Sequence, residues 1–230
     1  MAASHVQDGG VVTSSGSSLA VTLSGVTAGN AIVVIASRSS AGGASDSATA
    51  TDDVDAGSYT SHGVNYANSN RLTQILTYAD CTGGNTEVTV TANSVWSNWG
   101  ICVSEVSGVG STLTVGYGEN DTVSGATQYA TAATGFSPPA GSIIYAGFAK
   151  NANAGSFTAG SGYTDLINRP TVAPIIHHQY RETASLLTNH RPEHTVGTTF
   201  RVGPASAIYI EQGAVGPVSA EFPFQRYFLG

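Results

Sequence analysis

The sequence predicts an all-β protein: a jelly-roll-like β-sandwich built from two quasi-repeated halves, with an extended C-terminal arm. Three observations carry this. The apolar runs are short and bounded by Gly, Asn, Asp and Ser. No stretch repeats its apolar residues with the 3.6-residue period of a capped helix. Features of the first half recur, in the same order, in the second.

In chain order, strands are predicted near "LAVTL" (19–23), "AIVVIAS" (31–37), "LTQILTYA" (72–79), "TEVTVTA" (86–92) and "GICVSEVS" (100–107). They continue with "TLTVGY" (112–117), "SIIYAGFA" (142–149), "PIIHHQYRE" (174–182), "HTVGTTF" (194–200) and "SAIYIEQ" (206–212). Each is rich in β-branched or aromatic residues, which fit a pleated, half-buried surface. The clearest turn is "CTGGNT" (81–86), whose glycines can take positive φ.

"GNAIVVIAS" from Gly29 echoes "GSIIYAGFA" from Gly141. Tyr59 of "YT" echoes Tyr163, "ILTYAD" echoes "HHQYRE", and "VSEVSGVG" with Glu105 echoes "YIEQGAVG" with Glu211. The offsets drift as loop changes would make them. About five strands per half are too few for a covered sandwich, whereas two halves supply two facing sheets. The expected organisation is an N-terminal arm (1–16), a sandwich (17–216, half-repeats about 17–118 and 136–216) and an aromatic C-terminal arm (217–230). Two tandem sandwiches are the alternative, but the 124–141 segment "SGATQYATAATGFSPPAG" reads as a crossing loop rather than a Pro- or charge-rich linker.

Composition narrows the function classes. Charged residues make up only 10% of the chain, lysine occurs once, at Lys150, and the formal charge is −7. Nucleic-acid binding is not expected, because a phosphate backbone needs clustered Lys and Arg. A membrane span is not expected either, since aliphatic runs such as "AIVVIA" fall far short of the ~20 residues a span requires. The first ten residues show no basic region followed by an apolar one, so a Sec-type signal is not expected. Cys81 and Cys102 lie in strand-like segments, where buried free thiols are the favoured reading and a disulfide the next.

The segments "GNAIVV", "SYT", "YADCTGGNTEVTVTA", "VSEVSGVG", "GSIIYAGFA" and "SGYTDL" resemble jelly-roll modules in virion proteins of tailed bacteriophages, notably capsid decoration (cement) proteins and some tail appendages. The resemblance spans about residues 17–216 and brings no catalytic residue with it. It implies a homotrimer that binds the major capsid protein, stabilises a phage head and is assembled into the virion in the host cytoplasm.

Several residue groups are candidates for chemistry. "HHQYRETASLLTNHRPEH" holds His177, His178, His190 and His194. On a strand His177 and His178 point to opposite faces, so a zinc-type site would draw on His177, His190 and His194. The favoured reading is surface or interface histidines; clustered near a subunit axis, they would repel one another when protonated and weaken assembly in acid. Asp52, Asp53 and Asp55 offer hard oxygen ligands for calcium, but Val64 stands where an EF-hand loop starting at Asp53 would carry its bidentate Glu, so a solvated turn is favoured. Glu105 and Glu211 are either a carboxylate pair or a polar strand position repeated by ancestry.

There is no G-x-S-x-G elbow, phosphate loop, CxxC or dinucleotide fingerprint. No enzyme and no cofactor are predicted. Trp96 and Trp99 of "SVWSNWG" could stack on a sugar, although packing at a turn is favoured. Phe222, Phe224, Tyr227 and Phe228 crowd the last ten residues, where Pro217 and Pro223 disfavour a central strand. They are assigned as a partner-binding arm. The expected function is capsid decoration, with a receptor- or glycan-binding tail appendage or carbohydrate-binding module as the alternative.

Overall fold

The computed structural model describes residues 1–40, 43, 45–55, 57–67, 71–120, 127–129, 135–150, 156–169, 173–196 and 203–213. Among these residues there is no helix. In the first half the strands are β1 (Ser4–Val26), β2 (Ala31–Arg38), β3 (Ala48–Asp52), β4 (Thr60–Ala67), β5 (Arg71–Tyr78) and β6 (Gly84–Ser107). The second half contributes β7 (Val115–Asn120), β8 (Thr127–Tyr129), β9 (Ile143–Ala149), β10 (Phe157–Ala159), β11 (Thr164–Arg169), β12 (Ile176–Glu182), β13 (Glu193–Val196) and β14 (Ala205–Ile210).

Among the described residues all strand pairings are antiparallel and fall into three sheets. The N-terminal sheet runs β1-β6-β2-β5-β4, with β3 also on β6. The C-terminal sheet runs β11-β12-β9-β14-β7, and a small sheet runs β10-β13-β8.

The two large sheets face each other. Val33 and Ile35 of β2, Ile75 of β5 and Val106 of β6 pack on Ile143 and Tyr145 of β9 and Ile208 and Ile210 of β14. Gly147 of β9 marks the closeness of the contact, since a Cβ there would lie 2.5 Å from Ile35 Cγ2. Polar pairs cross the same seam: Asn65 Nδ2 donates to the Ala205 carbonyl at 2.8 Å, and the hydroxyls of Thr73 and Ser206 are 2.7 Å apart.

Each large sheet is covered on its other face as well. The β1–β6 ribbon bends where Gly16 pairs Trp96 and the next register pair is Ser18 with Thr91. Past the bend, its far half and β3 fold back, so Leu23, Ala48, Ala50, Val88 and Val90 pack on Ile32, Val34, Leu72, Leu76, Ile101 and Val103. Gly9 lies under this fold: a Cβ there would come within 2.7 Å of Val21 Cγ1. On the C-terminal sheet, Phe157 of β10 stacks on His177 of β12, and Phe148 of β9 meets His194 of β13. The strands therefore stack in four layers. In consequence β2 and β9 are buried on both faces, which is why they read as unbroken apolar runs rather than alternating ones.

Three expectations are corrected. Residues 4–16, read as an arm, are the first half of β1 and pair along β6. The separate strands read at 86–92 and 100–107 are one 24-residue strand, so "SVWSNWG" is the bend inside β6 and not a turn. Within the supposed crossing loop, residues 127–129 form β8.

Candidate functional site

The densest group of titratable side chains lies between the C-terminal sheet and the small sheet. Strand alternation sends His177 outward from β12 and His178 inward. His178 Nε2 reaches Ser37 Oγ on β2 at 2.8 Å, across the seam between the large sheets. His177 Nε2 lies 2.5 Å from Asp165 Oδ1 on the neighbouring β11, and His177 Nδ1 lies 3.1 Å from His194 Nδ1 on β13. Both imidazoles are fully buried, whereas the Asp165 side chain is 42% exposed.

Aromatic rings wall the pair in. Phe157 stacks on His177 with ring centroids 5.3 Å apart, and the Phe148 and His194 centroids are 4.0 Å apart. With Asp165 ionised, His177 donates from Nε2, and one proton serves the two Nδ1 atoms. His194 Nε2 is buried without a hydrogen-bond partner among the described residues. The result is a hydrogen-bonded chain from a half-exposed carboxylate to a buried imidazole.

Electrostatics follow from this placement. The His177 hydrogen bond holds the Asp165 carboxyl below its usual range, against a smaller opposing effect of burial. Burial, reinforced by His177 and Lys150, holds His194 well below an ordinary histidine. Burial likewise pushes His178 down to about 3.

Of the three-nitrogen set, the fold brings His177 and His194 together and leaves His190 apart. His190 stacks on Tyr163 and accepts or donates at 2.8 Å to its hydroxyl, with Phe136 pairing its backbone. Burial pushes it down to about 4, with Arg181 adding to the effect. Among the described residues no three His, Cys, Asp or Glu side chains are arranged to hold an ion. His177, His178 and His194 are buried inside the chain rather than placed on its surface, and His177 and His194 face each other there.

The carboxylates singled out in the sequence act as acceptors for the chain's own groups. Asp52 accepts from the backbone of Val54 and Asp55 and from the Tyr59 hydroxyl, Asp53 from the Glu87 amide, and Asp55 from the Thr82 amide and hydroxyl. Glu105, expected on a solvent-facing position or in a carboxylate pair, is fully buried. It accepts from Gln7 Nε2 at 2.6 Å, the Thr27 amide at 2.8 Å and Asn30 Nδ2 at 2.6 Å. Burial raises its pKa, but these donors together outweigh burial and hold the carboxyl below its usual range. Glu211 instead lines an open cleft with Thr114, Gln212 and Gly213.

Trp96 and Trp99 are completely buried, edge to face at 5.2 Å, with the Arg38 guanidinium 5.1 Å over Trp96. They present no face to a sugar, which corrects the stacking-platform reading. Cys81 and Cys102 are buried free thiols, each pushed up to about 12, chiefly by burial. Phe222, Phe224, Tyr227 and Phe228 lie outside the described residues. Sequence reasoning missed Asp165, Phe148 and Phe157. Asp165 lies twelve residues before His177, and only antiparallel pairing of β11 with β12 makes the two neighbours.

An open cleft of about 310 Å³ is lined by Ser58, Thr60, His62, Thr77, Tyr78 and the 111–113 segment. It adjoins the Glu211 cleft through Ser111 and Thr112. Comparison of the chain with family models, curated proteins and solved structures returned no match.

Proposed function

We propose that this chain is a structural virion protein, a capsid decoration protein that binds the major capsid protein of a tailed phage head as a homotrimer. The observation that carries the reading is where its reactive side chains go. Glu105, Asp46, Asp55, His177, His178 and His194 are all tied to other groups of the same chain, and they join strands and layers. That is how a scaffold uses polar residues, whereas an active site keeps them poised toward a cavity. The protein acts by assembly rather than catalysis, and its place of assembly is the host cytoplasm.

A jelly-roll built from two quasi-repeated halves belongs to the same reading. Its support is the strand order: β1-β6-β2-β5-β4 in the first half runs as β7-β14-β9-β12-β11 in the second. β3 beside the N-terminal half of β6 has its counterpart in β10 beside β13. The aromatic residues Phe222, Phe224, Tyr227 and Phe228 are assigned to the capsid contact.

The test is to sediment particles from the native source and count copies of this chain beside the major capsid protein by mass spectrometry. Decoration requires high, stoichiometric copy number and loss of particle binding when residues 217–230 are deleted. A few copies per particle would instead support a receptor-binding appendage. The adjoining hydroxyl-lined clefts at Tyr78 and Glu211 favour that second reading, which a glycan array tests.

A further inference from the structure

We propose that the Asp165, His177 and His194 chain is an acid-released latch holding the small β10-β13-β8 sheet on the outer face of the C-terminal sheet. The latch spans the interface: Asp165 and His177 belong to the large sheet, and His194 belongs to the small one. Among the described residues, Asn168 Nδ2 of β11 also donates to the Phe157 carbonyl at 3.2 Å and the Gly160 amide donates to Gln179 Oε1 of β12 at 3.1 Å. Phe157, Ile175 and Val196 form one small apolar cluster, and Gln179 of β12 bonds the Glu193 carbonyl at 2.9 Å.

Proton counting gives the mechanism. With one proton between the two Nδ1 atoms, they attract at 3.1 Å. One added proton leaves that hydrogen bond in place, because it is carried on a ring nitrogen outside the Nδ1–Nδ1 contact. A second puts an N–H on each Nδ1, so donor faces donor with no acceptor between them. The two cations then sit with ring centroids 5.0 Å apart.

Among the described residues, nothing else packed around the pair offsets that charge. β9 contributes Phe148 and, one residue past its end, Lys150, whose charge opposes protonation of His194. β10 brings Phe157, β14 brings Ala205 and Ala207, and β8 contains only Thr127, Gln128 and Tyr129. On β12, His178 points to the opposite face, toward Ser37. On β13, Glu193 alternates away from His194. Among the described residues Asp165 is thus the single carboxylate on the pair, and release of the small sheet relieves the repulsion. It would uncover Ala146, Phe148, Ala205 and Ala207.

The experiment is amide hydrogen exchange on the full chain at about pH 7.5 and about pH 5, corrected for intrinsic exchange, with dye binding as a second readout of uncovered apolar surface. The expected result is a loss of protection of about tenfold or more at 157–159 and 193–196 in acid, with dye uptake, while 48–52 and 86–92 stay protected. His194→Phe abolishes the acid effect; if that variant fails to fold, His194→Gln carries the same test. Equal protection at both pH values, uniform loss across both halves, or an acid response that survives in His194→Gln would overturn the proposal.

Discussion

The two outer layers of this molecule do the same job with different chemistry. In the first half, the folded-back ribbon and β3 seal the N-terminal sheet with Leu23, Val88, Val90, Ala48, Ala50 and the Trp96–Trp99 pair. In the second half, the small sheet is sealed by two phenylalanines and two imidazoles, with a cluster of Phe157, Ile175 and Val196 beside them. Aliphatic and indole burial has no titratable component, whereas burial of an imidazole is favourable only while it is neutral. Protonation therefore has a target in the second covering that the apolar seal of the first does not offer.

The sharpest way to break this comparison is to empty the first seal. Trp99→Ala should cost about 3–5 kcal/mol, from the lost transfer energy of a fully buried indole and the cavity left beside Trp96. Urea denaturation measures it. If the first seal is a global element, exchange protection drops throughout the chain, whereas Phe157→Ala should loosen β10 and β13 first.

Acid separates the seals with a smaller effect. His178 and His194 are held below their unfolded values, so the unfolded chain binds more protons below about pH 6.5. Stability is intact above that pH and falls as pH drops, by up to about 1.4 kcal/mol per pH unit for each group. Glu105 is a depressed carboxyl, so its contribution is present above the ordinary carboxylate range and is lost only as pH falls through its lower folded value. Acid titration followed by exchange should show the second half failing first. Glu105→Gln is expected to cost about 1–3 kcal/mol at neutral pH, and its stability should converge with that of the parent chain as pH falls through the lowered value of Glu105. A single transition in which both halves fail together contradicts the distinction.

The smallest expected effect is at the seam between the large sheets. Ser37→Ala removes the partner of His178 Nε2 and should cost about 1 kcal/mol by thermal denaturation. A much larger loss would mean that this seam, rather than the outer seals, limits stability.

The sequence was readable where its residues are strongly β-forming. β2, β5, β9, β12 and β14 carry Ile, Val, Leu or Tyr in runs that fit no other element, and they lie where those runs predict. The first half of β1, "SHVQDGGVVTSSG", carries no such signal: its Gly and Ser are poor strand formers, and it is extended because β6 supplies its partners. β10, three residues long, and β11, whose "TDLINR" is mostly polar, offered too short an apolar run to stand out. At the candidate site, the histidine-rich stretch stood out, but which histidines meet did not follow from spacing.

By itself, then, the sequence determined an all-β chain poor in charge, with the strands that fill its inner layers, because apolar content and β-propensity are local properties. Only the tertiary structure decided that the β1–β6 ribbon bends over its own sheet, that Trp96 and Trp99 are core, that Glu105 is an internal acceptor, and that His194 meets His177 while His190 does not. These are matters of register and of layer on layer. A contact between residues far apart in the chain depends on where each strand lands, and neighbouring residue types do not encode that.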